Sequence, residues 1–118
     1  MTWFLFAIAA GLGGFIRYAF EHKLQPVGKT GFPRATLIVN VSGALLLGLV
    51  FAAPESYYQV MGIAFCGALT TFSGISAQLM RRVNSNAFSA ALNYLALTLV
   101  LGLSAAQIGL FLGDWLFN

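Results

Sequence analysis

Four long apolar runs, separated by short polar or turn-forming stretches, organise this sequence: from about Thr2 to Phe20, Ala35 to Ala53, Tyr57 to Met80 and Phe88 to Leu116. A helix needs about 20 apolar residues to cross a hydrocarbon core about 30 Å thick, and each run reaches about that length. The pattern predicts an all-α membrane protein of four transmembrane helices. The first connection, Glu21 to Arg34, holds Pro26, Gly28, Gly31 and Pro33, which break helices. The second is a Pro54-Glu55 turn, and the third, Arg81 to Asn86, is polar. Connections this short leave no room for a second domain, so residues 1–118 read as a single four-helix unit.

Composition agrees. Of the 118 residues 59% are hydrophobic and 8% charged, where a soluble domain carries about a quarter charged residues. Six basic and three acidic residues are too few and too scattered to track a nucleic-acid backbone, so no nucleic-acid partner is expected. Their placement is informative instead. Arg17, Lys23, Lys29 and Arg34 cluster at the first loop and its helix ends, and Arg81 and Arg82 sit at the third, whereas the opposite side holds only Glu55 and Asp114. The positive-inside rule then places loops 21–34 and 81–86 in the cytoplasm and both termini outside a plasma or inner membrane. The first run lacks a basic segment ahead of it, so it reads as a span rather than a cleaved signal. The lone Cys66 decides nothing about redox compartment.

Chemistry concentrates at a few positions. Within the third run, Gly67-Ala68-Leu69-Thr70-Thr71-Phe72-Ser73-Gly74 puts small and hydroxyl residues where a lipid-facing helix would carry Leu and Val. Such a cluster suggests a helix broken near mid-membrane, tolerable only beside a cavity or ion, or else close packing through small residues. Thr36 and Asn40 lie one turn apart on the second run, and a mid-span amide must meet a partner or water. Asn40 is read as a pore-lining group or as interhelical glue. Tyr94, Thr98 and Gly102 recur every four residues and draw one stripe along the fourth helix. Gly13 and Gly14 with Arg17 favour close helix contact and an interfacial anchor. No run contains an interior carboxylate, which speaks against coupling to protons or cations. One peripheral His and three peripheral acids assemble no catalytic set, so no enzyme is expected.

In their order along the four spans, these residues resemble the Fluc family of fluoride channels, also called CrcB. The carriers are Gly13-Gly14 with Arg17-Tyr18, Thr36 to Asn40, Gly67 to Ser73, and Asn93-Tyr94 with Thr98 and Gly102; Gly67-x-x-Thr70-Thr71-Phe72-Ser73 is the most specific. The resemblance implies an antiparallel dimer with two narrow pores. It implies a structural, untransported sodium ion at the dimer centre, held by backbone carbonyls at Gly67 and Thr70. It implies a pore lined by Thr36, Asn40, Thr71, Phe72, Ser73, Ile75, Tyr94 and Thr98. Fluoride would be the permeant ion, leaving the cytoplasm passively and so lowering its toxicity. The chain departs from the pattern where Gly74-Ile75 replaces Thr-Phe and Gln78 replaces Glu. With the one-sided charge, this favours a second homologous chain as dimer partner over a second copy of this one. Asn40→Leu and Phe72→Ala are expected to impair transport more than folding. A small multidrug-type antiporter subunit would need a carboxylate in the first span, where none stands, and a noncatalytic scaffold would leave Asn40 and the Thr70 to Ser73 cluster without a purpose.

Overall fold

The computed structural model describes residues 2–24 and 32–118, and every element among them is helical. Pro26, Gly28, Lys29 and Gly31 lie outside the described residues. Helix α1 is Thr2–Lys23, three residues longer than predicted. No breaker intervenes there, and His22 and Lys23 suit the negative end of a helix dipole. Helix α2, Arg34–Val50, starts directly after Pro33, whose missing N–H costs nothing at a helix start. It stops three residues earlier than predicted. The Phe51 and Ala53 N–H groups turn back to Gly48 (3.3 Å) and Val50 (3.0 Å) carbonyls, and Pro54 disfavours helix at the residue before it.

Helix α3 covers residues 55–69: a first turn at Glu55–Tyr57, a wider π-type stretch over Tyr58–Cys66 and a last α turn at Gly67–Leu69. Thr70 and Thr71 then adopt extended conformations, with ψ of 159° and 119°. Helix α4 follows as Phe72–Asn84, and helix α5 is Phe88–Phe117.

The predicted polar loop at 81–86 is corrected by this geometry. Arg81 and Arg82 form the last turn of α4, where basic side chains complement the helix dipole. The helix then ends in a Schellman turn. Ala87 N–H reaches the Arg82 carbonyl at 2.8 Å and Asn86 N–H the Val83 carbonyl at 3.1 Å. Asn86 takes the left-handed conformation this requires, φ 58°.

Three helical stretches, Trp3–Lys23, Glu55–Asn84 and Phe88–Phe117, are long and apolar enough to cross a membrane, and α2 is a shorter apolar helix. Trp3, Phe15, Leu103, Phe111 and Trp115 all point outward, a distribution suited to lipid rather than water. What holds the helices together is backbone proximity. A Cβ on Gly109 would strike the Leu45 carbonyl and one on Gly113 the Leu49 carbonyl, so α5 lies directly on α2. Gly13 does the same for α1 against the Phe65 carbonyl of α3. Small residues of this kind are the usual means of close approach where no hydrophobic force acts between helices.

Candidate functional site

The interruption between α3 and α4 creates a chemical problem that one side chain solves. In an unbroken helix the Thr71 N–H would close on the Gly67 carbonyl and the Gly74 N–H on the Thr70 carbonyl. Both donors go elsewhere. Thr71 N–H donates to Asn40 Oδ1 at 2.8 Å, and Asn40 Nδ2 returns a bond to the Thr71 carbonyl at 3.3 Å. The Gly74 N–H donates to Thr71 Oγ1 at 2.9 Å, which makes Thr71 the N-cap of α4. Thr71 Oγ1 also lies 3.1 Å from Ser73 Oγ. The Gly67 and Thr70 carbonyls are thereby released from the helical pattern. Thr70 itself keeps its N–H and its hydroxyl on the Cys66 carbonyl, each at 2.9 Å.

Asn40 therefore clamps the break from α2. An amide carries two N–H donors, and the bond to Thr71 uses one, so the same side chain can hold the backbone and still offer a donor to a guest.

Beside the clamp runs an open groove of about 550 Å³ whose lining includes Asn40, Gly67, Thr70, Thr71, Phe72 and Ile75. Apart from the Asn40 amide, the two threonines, Tyr58 and Cys66, that wall is small or apolar, and no charged residue lines it. Phe72 stands at its rim, 82% exposed. Gly67 is exposed too, with nothing near its Cβ direction, whereas a Cβ on Gly43 would strike the Thr70 methyl group.

A second cluster forms where α2, α4 and α5 meet. Tyr94 is wholly buried, its hydroxyl beside those of Thr36 and Thr98. Among the described residues, neither Tyr94 Oη nor Thr98 Oγ1 completes a hydrogen bond, although both atoms are shielded from solvent. Phe32 meets the Tyr94 ring edge-on at 5.8 Å. The Arg82 guanidinium carbon lies over the ring, 5.6 Å from its centroid, and one Nη donates to the Gln78 carbonyl and Gln78 Oε1, each at 2.9 Å. Thr36 also lines a cavity of about 470 Å³ with Glu21, Gln78 and Arg81, and its methyl group faces Gly74.

Asn40, Gly67, Thr70, Thr71, Phe72 and Ile75 thus come together at the groove, and Thr36, Tyr94 and Thr98 at the hydroxyl cluster. Ser73 joins the first group only through Thr71. Sequence reading missed Arg82, assigning it to a loop. The missing signal was periodicity: continuing the α4 helical period past Met80 places Arg82 one turn beyond Gln78.

Residues 4–110 match the family described as CrcB-like protein, Camphor Resistance (CrcB). The fluoride-specific ion channel FluC 1 of Ligilactobacillus salivarius is 38% identical over 109 residues, covering 91% of this chain and 95% of the relative. The fluoride-specific ion channel FluC of Deinococcus radiodurans is 39% identical, covering 94% of each. FluC 2 of Parasynechococcus marenigrum, likewise named a fluoride-specific ion channel, is 40% identical over 92% of this chain and 78% of its own length. The family match and the relatives each cover nearly the whole chain, the interrupted helix included, and the chain belongs to the CrcB-like family.

Proposed function

We propose that this chain is a subunit of a fluoride-selective channel that lets the ion leave the cytoplasm passively. The observation that carries the reading is the Asn40 clamp: a half-buried amide on a helix break, with a spare donor, beside Thr71, Phe72 and a groove free of charge. Its relatives' names point to the same ion.

Fluoride is small and tightly hydrated, so a pore that strips its water must offer compensating donors. The Asn40 amide, the hydroxyls of Thr71, Ser73, Thr36, Tyr94 and Thr98, and the positive edge of the Phe72 ring can supply them. Chloride is excluded by the narrow fit. With Glu21, Glu55 and Asp114 all at or near helix ends, no mid-span carboxylate couples the movement to protons, which disfavours an antiporter, and no reaction step is required.

We further read the five helices as four spans, α3 and α4 together forming the third, with the interruption between them near mid-membrane. Hydrocarbon would penalise the freed carbonyls there by several kcal/mol each unless they meet a cavity or ion. Released carbonyls at Gly67 and Thr70 are hard oxygen donors suited to a sodium ion, and the exposed Gly67 fits a position facing a second subunit. That ion would be structural, joining two antiparallel subunits. Phe72 has little cover within its own chain, which supports a pore completed by a partner. All six Lys and Arg stand on one side of the four-span arrangement, so few copies should insert inverted, and a partner of opposite bias is then required. Ile75, in the groove beside Phe72, has no ring edge to offer an anion. A partner carrying both rings would complete the pore that receives Phe72, giving one working pore per dimer.

Expression together with its partner chain in a bacterium lacking its own fluoride exporter tests the function: growth on millimolar fluoride should be restored, and unchanged sensitivity with both chains at normal membrane levels would refute it. Orientation is tested by labelling Asn118→Cys in intact cells, since Cys66 is buried. Label on one face only supports the heterodimer, and label on both faces, with full conduction by the chain alone, would refute it.

A further inference from the structure

Two residues on one face of α2 meet the interruption. Asn40 and Gly43 stand three residues apart, which puts them on the same side of the helix. Asn40 holds Thr71 by hydrogen bonds. Gly43, which is buried, holds Thr70 by shape. A Cβ there would strike the Thr70 methyl group, whereas its next neighbours, Thr70 Cβ and Leu69 Cδ2, lie at 3.7 and 3.8 Å, ordinary contact distances. The methyl group thus occupies the space that a side chain at position 43 would fill. Thr70 Oγ1 is engaged too, donating to the Cys66 carbonyl at 2.9 Å. With both branches of its Cβ committed, the threonine is confined to the one staggered χ1 that satisfies both. Its hydroxyl is turned back onto α3, so the oxygen it can present to a guest is its main-chain carbonyl, released by the switch to extended backbone at ψ 159°. Gly43 and Thr70 line the same groove as Gly67. Among the described residues no group of His, Cys, Asp and Glu could hold a metal ion, and neutral carbonyl oxygens suit a singly charged hard cation better than a divalent one, which takes carboxylates.

We propose that Gly43 is a positioning residue for the cation. By leaving room for the Thr70 methyl group it fixes the Thr70 side chain, and with it the direction of the Thr70 carbonyl, so that this oxygen stays available to the ion. The inference rests on the sodium reading given above and assigns to it a residue of α2 that contributes no oxygen. Glycine serves here as vacant space and not as backbone freedom, since position 43 lies within a regular helix. In Gly43→Ala the added methyl group displaces that of Thr70. The threonine must then leave its rotamer and break its bond to Cys66, or α2 must draw back from the interruption, and in both cases the carbonyl turns. Asn40 cannot compensate, because its two bonds act on the next residue, Thr71.

The test is the thermal unfolding midpoint of the full channel, with whatever partner its assembly requires, over a range of sodium at constant ionic strength, a large organic cation making up the balance. An ion held by the folded state raises the midpoint as its concentration passes the dissociation constant. The half-saturating sodium concentration should rise about tenfold in Gly43→Ala, equivalent to about 1.4 kcal/mol, the size of one lost neutral hydrogen bond. In a Thr70→Ser background, which keeps the hydroxyl and removes the methyl group, Gly43→Ala should shift half-saturation by less than about threefold, because the obstructing atom is gone. A glycine that matters only for helix packing would lower the midpoint equally at every sodium concentration. That result in an assembled Gly43→Ala channel overturns the proposal while leaving the sodium reading standing, and so does a tenfold shift that persists in the Thr70→Ser background. Should Gly43→Ala not assemble, the double variant decides: assembly with half-saturation within about threefold of Thr70→Ser supports the proposal, and failure to assemble or a larger shift overturns it. A parent channel whose midpoint is indifferent to sodium overturns the sodium reading and the proposal together.

Discussion

Replacing Asn40 with leucine removes both bonds that close the α3–α4 interruption, and the structure sets the scale of the loss. The Thr71 N–H, held at 2.8 Å, belongs to a buried residue. Leaving such a donor unpaired costs about 1–3 kcal/mol. The return bond at 3.3 Å is longer and adds about 0.5 kcal/mol, within the range measured for polar contacts between membrane helices. Leucine recovers part of this through apolar packing, for a net loss of about 2 kcal/mol. The substitution that sequence alone expects to impair transport more than folding is therefore expected to weaken the fold measurably as well as to abolish fluoride flux. Equilibrium unfolding in mixed micelles, read by circular dichroism, measures the first effect, and liposome efflux the second. Asn40→Asp separates the two roles. A carboxylate oxygen still accepts from Thr71 N–H, so much of the stability stays, but it faces the Thr71 carbonyl and repels an anion, so flux is lost. If Asn40→Leu unfolds within about 0.5 kcal/mol of the parent, the clamp does not hold the break and the energetic argument fails.

Three further outcomes follow from the same geometry. Phe72→Ala should unfold like the parent, since the ring is 82% exposed within the chain, yet pass fluoride at least tenfold more slowly; an undiminished flux would remove Phe72 from the pore. Gly109→Leu should prevent stable assembly because its side chain meets the Leu45 carbonyl, whereas Gly102→Ser, with nothing within 4 Å of the added Cβ, should express and elute like the parent. Replacing sodium with a large organic cation should dissociate the dimer or stop flux; indifference to sodium in gel filtration and efflux would exclude the ion at Gly67 and Thr70.

Much of the fold was legible because a membrane span must satisfy its own backbone, which leaves long apolar runs as an unmistakable pattern. Boundaries were less so. Pro54 ends α2 ahead of itself by its effect on preceding residues, while α1 and α4 overrun the apolar pattern because basic residues suit helix C-termini. The Schellman turn at Asn86 was signalled only by an Asn after a short polar run, which a loop explains equally well. At the site, the hydroxyl and glycine cluster marked the interrupted segment, but the partner of Asn40 could not be read: residues 40 and 71 meet only through tertiary packing. Arg82 was obscured for another reason. Its charge suggests solvent, and only the packed Tyr94 ring shows why it is buried.

Proteoliposomes loaded with fluoride and given a potassium shunt, with released ion followed by electrode, test the central claim most directly. This chain, with its partner where one is needed, should discharge fluoride within seconds to minutes without any proton gradient and leave chloride inside over the same period. Equal release of chloride, or fluoride release only when a proton gradient is imposed, would contradict the account.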